Sequence, residues 1–150
     1  MNSFIVKSGL VAALIATSVA PAIAGDWEVW TEKQGSDKLT IVTSFAGNGS
    51  IEEAHIDLNI DGNFEVVDTQ VLQKGSVCVA SAEKNIIRSL PPSGAGSALK
   101  SKATDTCLFT IRMTSVKTWN PAEVVTVGFK ECASSTKGSV PCDASIKMVK

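Results

Sequence analysis

One stretch of the sequence places oxygen-bearing side chains at the spacing of a calcium-binding loop. Its candidate ligands are Asp57, Asn59, Asp61, Asn63, Glu65 and Asp68. Five of them, all but Asn63, match the first, third, fifth, ninth and twelfth places of an EF-hand loop, and Gly62 stands at the sixth. Alternate oxygen ligands followed by a sharp glycine turn can wrap a hard cation. The motif therefore predicts a calcium site at residues 57–68 as one interpretation.

The same residues also fit a strand followed by a tight turn. Apolar side chains occupy every second position of residues 54–60, and this alternation continues through the first half of the motif. Asp61-Gly62 is then a strong turn signal. Calcium loops of the dockerin type accept an aspartate at the last place, as at Asp68, but they occur in pairs, and this chain has one. We favour a hairpin that does not need calcium, and we keep the calcium-binding domain as an alternative.

The residue types needed for catalysis are sparse. His55 is the single histidine, and it lies on the polar side of an alternating run. Glu52 and Glu53 would point to opposite faces of a strand, so they do not form an acid/base pair. The sequence has no G-x-S-x-G elbow, no phosphate-binding loop and no H-E-x-x-H motif. These observations predict a non-catalytic protein with no catalytic residues.

The three tryptophans, Trp27, Trp30 and Trp119, stand out in a chain without tyrosine. Exposed, coplanar tryptophans would suggest a carbohydrate-binding surface. Trp27 and Trp30 are three residues apart, however, so in a strand they face opposite sides, and one of them should be in the core. We expect a core or lid role for each tryptophan.

The four cysteines indicate disulfides. An even number of cysteines in an exported chain predicts two bridges, and the close C-x-x-C spacing of a zinc site is absent. We predict the pairs Cys78–Cys107 and Cys132–Cys142. The polar segment between the second pair can fold back easily, and the first pair closes a longer loop. The two other connectivities remain open.

The N-terminus has the order of a secretory signal. Residues 1–24 comprise a short segment with Lys7, an apolar run too short to span a bilayer, and a small-residue site ending at Ala24. We therefore expect a chain exported to the periplasm or outside the cell, with one domain over residues 25–150. The net charge of the whole chain is −1, so the sequence has no excess of positive charge that would bind nucleic acid or anionic lipid. No later run is apolar enough to span a membrane.

Alternating, turn-bounded runs predict an all-β fold. The runs fall at residues 27–30, 39–45, 54–60, 64–72, 75–80, 107–113, 125–132 and 146–149. A short helix fits residues 81–90, and Leu90–Ala103 has the composition of a loop. Seven to eight short strands without a long amphipathic helix indicate an antiparallel β-sandwich of jelly-roll or immunoglobulin-like type.

Two stretches resemble a known family. IEEAHIDLNIDGNFEVVDTQVLQKG, at residues 51–75, resembles the early strands of cohesin-like domains, and CLFTIRM, at residues 107–113, resembles a later strand. The resemblance implies a jelly-roll-like sandwich used for attachment to a protein or surface. The cysteines depart from the family, whose members usually lack disulfides.

Together these observations predict a non-catalytic binding or structural module at the cell envelope or outside the cell. Its partner would be a protein or another cell-surface component, and no cofactor is expected apart from the alternative of calcium. A further alternative is a small secreted hydrolase inhibitor that inserts the loop Leu90–Ala103 into an active site.

Overall fold

Alternating apolar and polar side chains form ten strands in the part of the chain that the structure describes. The structure is a computed structural model, and it describes residues 25–48, 51–92, 103–114, 119–134 and 138–149. The predicted signal at residues 1–24 lies outside this part, and so does most of the loop Leu90–Ala103. The strands are β1 (Gly25–Gln34), β2 (Lys38–Gly47), β3 (Glu53–Ile60), β4 (Phe64–Val71), β5 (Val77–Ser81), β6 (Ile86–Leu90), β7 (Thr104–Met113), β8 (Val125–Ser134), β9 (Gly138–Val140) and β10 (Cys142–Met148).

The strands form two five-stranded sheets that pack face to face. The front sheet has the order β9-β8-β3-β6-β5, and the back sheet has the order β10-β1-β2-β7-β4. Neighbouring strands are antiparallel except β10 and β1, which run parallel with Cys142 opposite Gly25. The predicted all-β sandwich is confirmed, with more strands than the seven or eight expected. No helix in the described ranges is long and apolar enough to cross a membrane.

The core lies between the sheets and consists of the inward side chains of both. Its fully buried members include large side chains of β1, β2, β3, β6 and β7: Trp27, Val29, Leu39, Ile41, Ile56, Leu58, Ile87, Phe109 and Ile111. Each such side chain contributes roughly 1.5–3 kcal/mol when it leaves water. Trp27 packs on Phe45 with ring centroids 4.8 Å apart. The period-two alternation thus selects which face of each strand enters the core.

The chain reversal at Asp61-Gly62 is not the predicted hairpin. β3 pairs with β8 on one side and with β6 on the other, so β4 has no free edge of β3 to pair with. β4 crosses to the back sheet and pairs with β7 instead. Gly62 takes a φ of 116°, a conformation that side chains with a Cβ rarely adopt. The amide of Asn85 also donates to the carbonyl of Gly62 over 2.6 Å and holds this corner between the sheets.

Residues 81–90 form a turn and a strand, so the expected short helix is wrong there. β5 and β6 pair as a hairpin in which Ser81 lies opposite Ile86. Asn85 makes the turn with a φ of 56°, which asparagine tolerates better than most residues. The only helical turn in the described residues is α1 (Pro121–Val124), whose start Asn120 caps by accepting a hydrogen bond from the Ala122 amide.

The predicted Cys78–Cys107 disulfide is present and joins the sheets along one side of the sandwich. It links β5 of the front sheet to β7 of the back sheet. Three buried hydroxyls lie beside it and bond to one another: Thr43 to Ser89 over 2.8 Å, Thr43 to Thr106 over 2.7 Å, and Ser89 to Thr106 over 2.9 Å. Each hydroxyl therefore has a partner in the core, as a buried polar group requires.

The second predicted bridge is not formed in the structure, where Cys132 and Cys142 are free thiols. Cys132 lies on β8 of the front sheet and Cys142 begins β10 of the back sheet. The two thiols hydrogen-bond to each other, and a covalent bond between them stays a prediction.

Candidate functional site

The outward side of the front sheet carries three rows of side chains that run across four strands. We call this surface the front face. The register of β5, β6, β3 and β8 places Val79, Arg88, Asp57 and Phe129 in its central row. One flanking row contains Ser81, Ile86, Asn59 and Thr126, and the other contains Val77, Leu90, His55 and Glu131. Regular strands hold all of these side chains, so the surface is rigid.

The centre of the front face is an ion pair with two hydrogen bonds. Arg88 donates from Nε to Asp57 Oδ1 over 2.8 Å and from Nη2 to Asp57 Oδ2 over 3.0 Å. This fork geometry is the strong arrangement for a guanidinium and a carboxylate. Asp57 is 8% exposed, whereas the side chain of Arg88 is 45% exposed. The Asp57 carboxylate is therefore engaged by hydrogen bonds within the sheet, while the outer side of the Arg88 guanidinium remains open to solvent.

His55 and Phe129 extend this cluster toward β8. His55 Nε2 lies 2.7 Å from Asp57 Oδ1, and its ring meets Phe129 edge-on with centroids 5.2 Å apart. Burial acts to raise the pKa of Asp57, but the hydrogen bonds and charges of Arg88 and His55 outweigh it and hold that pKa below its ordinary value. Asp57 is thus an ionised anchor that orients its two neighbours.

Apolar side chains flank the cluster on both sides and are unusually open to solvent. Val77 is 50% exposed, Val79 45% and Phe129 47%. Exposed apolar groups gathered around oriented polar groups mark interaction surfaces more often than isolated exposed residues do.

A depression of about 250 Å³ opens at one end of the front face. Its lining includes the acidic residues Glu53 and Glu131, with His55 between apolar walls that include Val77 and Leu90. Ser139 donates a hydrogen bond to Glu131 over 3.2 Å. The depression therefore offers carboxylates beside an apolar surface, which suits a positively charged side chain with an aliphatic stem.

The outward side of the back sheet is different in character. Trp30 is 36% exposed there, and the Lys147 ammonium lies 5.2 Å from its ring centroid. Lys147 also contacts Glu28 over 3.1 Å and lowers the pKa of that carboxyl, as does a hydrogen bond from Trp30. On this side the Trp30 ring lies against the charged side chains of Lys147 and Glu28, whereas on the front face Phe129 lies near exposed apolar side chains.

The structure does not gather the candidate calcium ligands into one loop. Asp57 and Asn59 lie on β3, Asp61 and Asn63 at the corner between the sheets, and Glu65 and Asp68 on β4 of the back sheet. Several of them have other partners: Asp57 binds Arg88, Glu65 binds Arg112, and Asp68 accepts from Gln70 over 2.8 Å. The described part of the chain contains no group of three or more His, Cys, Asp or Glu residues placed to hold a metal ion.

Asn59 has a structural role at a bulge in β8. Its side chain lies over Gly128, where an added Cβ would come within 2.6 Å of the Asn59 Oδ1 atom. The pairing of β3 with β8 shifts register at this point. Gly128 is therefore required by the close approach of the asparagine amide.

The tryptophans do not form a stacking platform. Trp27 is fully buried and Trp30 lies on the opposite side of β1, as the spacing predicted, but Trp30 is exposed there, so the expected core or lid role is wrong for this residue. Trp119 is 7% exposed and donates from Nε1 to the Ser36 carbonyl over 3.1 Å, while the Lys33 ammonium lies 4.5 Å from its ring centroid. It is a lid over one end of the sandwich.

Arg88 and Phe129 are the residues that reasoning from the sequence missed. Arg88 falls in the segment assigned to a possible helix, and Phe129 was counted only as one member of an alternating run. Arg88 and Phe129 lie beside Asp57 only because of the order of the strands in the sheet. The local spacing of residues along the sequence does not indicate that order. The signal available in the sequence was that Phe129 follows Gly128 and precedes Lys130.

The fold is similar to that of cohesin modules. A cohesin of Clostridium acetobutylicum, CaCohA2, solved in complex with a variant of CaDoc0917, is 14% identical, has a TM-score of 0.60, and matches 83% of this chain and 99% of its own. The third cohesin ScaC of Acetivibrio cellulolyticus, in complex with the ScaB dockerin, is 8% identical with a TM-score of 0.58 over 84% and 99%. A non-cellulosomal cohesin of Archaeoglobus fulgidus is 14% identical with a TM-score of 0.52 over 83% and 92%.

The expected cohesin-like sandwich is thereby confirmed as a fold. No protein-family model matches the chain, and no curated protein matches its sequence.

Proposed function

We propose that this chain is a non-catalytic binding module and that its front face docks a partner protein. The observation that carries the proposal is the central row of the front face, in which exposed Val79 and Phe129 flank the Arg88–Asp57 pair. The fold supports it, because a cohesin with the same fold was solved in complex with a dockerin.

The energetic reasoning concerns what a partner gains at this surface. Burial of Phe129 and Val79 removes apolar area from water, at roughly 25 cal/mol per Å². Arg88 is already oriented by Asp57, so its remaining hydrogen-bonding capacity can be used with little loss of side-chain entropy. Aromatic and arginine residues at the centre of a contact surface commonly dominate binding energy.

The charges of the front face indicate the chemistry of the partner. Asp57 is neutralised by Arg88, so Glu53 and Glu131 leave the depression acidic. A partner segment with an apolar side chain for the Phe129–Val79 row and a lysine or arginine for the depression would complement it. Charge complementarity of this kind governs orientation and association rate more than affinity.

Export to the periplasm or the exterior, with attachment at the cell envelope, belongs to the same proposal. The signal-like order of residues 1–24 and the Cys78–Cys107 disulfide support it, because disulfides persist in oxidising compartments. The exported protein is expected to begin at Gly25, and intact mass measurement of secreted material would show this. Retention of residues 1–24 would contradict the export part alone.

The docking surface is tested by matched substitutions on opposite faces. The exported chain, immobilised, is used to isolate a partner from the source cell envelope, and the dissociation constant of the purified pair is then measured. Phe129→Ala and Arg88→Ala should each weaken binding at least about tenfold. Trp30→Ala, which removes a partly exposed aromatic from the back sheet, should leave the constant unchanged. A loss of binding confined to Trp30→Ala would place the interface on the other sheet.

A further inference from the structure

Cys132 and Cys142 approach each other across the gap between the two sheets. Cys132 is fully buried on β8, while Cys142 is partly buried at the start of β10. The strand β9 lies between them in the sequence, and its last residue, Val140, lies opposite Cys132 in the ladder. Cys142 follows Val140 closely in the sequence, so this pairing brings it near Cys132.

Gly25 gives an independent measure of their proximity. It lies opposite Cys142 in the parallel pairing of β1 and β10. A Cβ built on Gly25 would lie 3.2 Å from the Cys132 sulfur. One backbone position thus neighbours both cysteines, and the two thiols hydrogen-bond to each other.

We infer that Cys132 and Cys142 are a second disulfide site, which closes after folding and fastens β10 to the front sheet. The oxidant is a small-molecule disulfide, such as glutathione disulfide. The Cys142 thiolate attacks one sulfur of the oxidant, forming a mixed disulfide and releasing one thiolate. The Cys132 thiolate then attacks the Cys142 sulfur and releases the second. The two protons lost by the cysteines are taken up by the two released thiolates, and the oxidant gains the two electrons that the cysteines lose.

The order of the two steps follows from the surroundings of the thiols. Cys142 is accessible to a small oxidant, whereas Cys132 is enclosed beside Phe45 and Gly25. Burial raises the pKa of both thiols, most strongly for Cys132, and the contact with Cys132 partly offsets the rise for Cys142. Cys142 therefore reacts first, and Cys132 resolves the mixed disulfide from inside.

The Cys132–Cys142 disulfide would stabilise the position of β10 more than that of any other strand. This strand forms one edge of the back sheet, and β1 is its only ladder partner among the described strands. A covalent bond to β8 would connect it to the front sheet, which its backbone hydrogen bonds do not reach.

The test is oxidation of the full exported chain with glutathione disulfide, followed by non-reducing peptide mapping. We expect a mass loss of about 2 Da, the two hydrogens removed, and a peptide that joins Cys132 to Cys142. The melting temperature should rise by about 5 °C or more. The Cys78–Cys107 peptide in the same digest is the internal control for an intact fold.

Single-cysteine variants separate the steps. Cys132→Ala should retain a stable glutathione adduct on Cys142, and Cys142→Ala should leave Cys132 unmodified in the folded protein. If the oxidised wild-type protein keeps both thiols free while Cys78–Cys107 stays intact, the inference is overturned. Should either variant fail to fold, the wild-type peptide map still decides the matter.

Discussion

The two long sides of the sandwich place cysteines in equivalent positions but use them differently. At the side that we call the bridged edge, Cys78 on an edge strand of the front sheet bonds to Cys107 on the strand next to the edge of the back sheet. At the opposite side, the thiol edge, Cys142 on an edge strand of the back sheet faces Cys132 on the strand next to the edge of the front sheet.

The surroundings of the two pairs differ as well. The bridged edge contains the hydroxyls of Thr43, Ser89 and Thr106, all mutually bonded. The thiol edge is lined by Phe45 and the bare backbone of Gly25. A strand at the rim of a sheet lacks one set of ladder bonds, and at each of these two sides a cysteine of the edge strand lies beside a cysteine of the other sheet. The comparison teaches that the order of the strands determines where two cysteines can meet across the sheets. Whether they form a disulfide depends on the side chains around them and on the redox conditions.

Removal of the disulfide at the bridged edge should have the largest effect on stability. Replacing both partners, Cys78→Ala with Cys107→Ala, should lower the free energy of unfolding by about 3–4 kcal/mol, because a loop of 29 residues becomes free in the unfolded chain. Urea denaturation without reductant measures it. A change below about 1 kcal/mol would show that the hydroxyl cluster, rather than the bridge, holds this edge.

Closure of the thiol edge should have the next largest effect. The loop between Cys132 and Cys142 is shorter, so the oxidised pair should add about 2.5–3 kcal/mol in the same chain-entropy treatment. The comparison is between oxidised wild-type protein and oxidised Cys142→Ala in urea. Equal stabilities would mean that the bridge strains the native strands by as much as it restricts the unfolded chain.

Gly25→Ala probes the packing of the thiol edge without changing a cysteine. The added methyl would overlap the Phe45 ring and lie 3.2 Å from the Cys132 sulfur, so the unfolding free energy should fall by about 1–2 kcal/mol. The same substitution in a Phe45→Leu background should cost less, because the ring is gone. Additive effects of the two substitutions, measured by thermal denaturation, would show that Gly25 and Phe45 do not crowd each other.

Ser89→Ala tests the hydroxyls of the bridged edge. Thr43 and Thr106 would still bond to each other, so the loss should be only about 1 kcal/mol. Ser76→Ala is the matched control, because the buried Ser76 hydroxyl has no hydrogen-bond partner among the described residues. Urea denaturation of both variants should give a loss for Ser89 and none for Ser76. Equal losses would mean that the cluster adds no net stability.

We expect calcium to have no effect on stability, which places it last in this order. An ion held by residues 57–68 would be another connection between the sheets, since the candidate ligands lie on β3, on β4 and at the corner between them. Millimolar calcium should leave the melting temperature unchanged in both wild type and Asp61→Ala. An increase that disappears in Asp61→Ala would restore the calcium interpretation.

The sequence was informative where structure is local. The alternation at Ala54–Ile60 predicted which side chains enter the core, and the long loop before Cys107 indicated its pairing with Cys78. Asp61-Gly62 correctly marked a reversal. The sheet that β4 joins could not be predicted, because it depends on whether β3 still has an unpaired edge, and β8 comes more than sixty residues later.

The candidate site was less predictable for the same reason. Arg88 and Asp57 are 31 residues apart, and Phe129 is farther still. Charge and hydrophobicity identify such residues as surface or core candidates, but their neighbours are set by strand order. Only the register across β6, β3 and β8 brings them into one row.

The parallel pairing of β1 and β10 determines how the molecule would respond to pulling. Gly25 lies opposite Cys142, and Thr31 lies opposite Met148, so the described chain starts at one end of this strand pair and finishes at the other. The seven paired residues span roughly 20 Å at the usual rise per residue. Tension between the two ends would run along the strands and load their hydrogen bonds together, instead of opening them one after another.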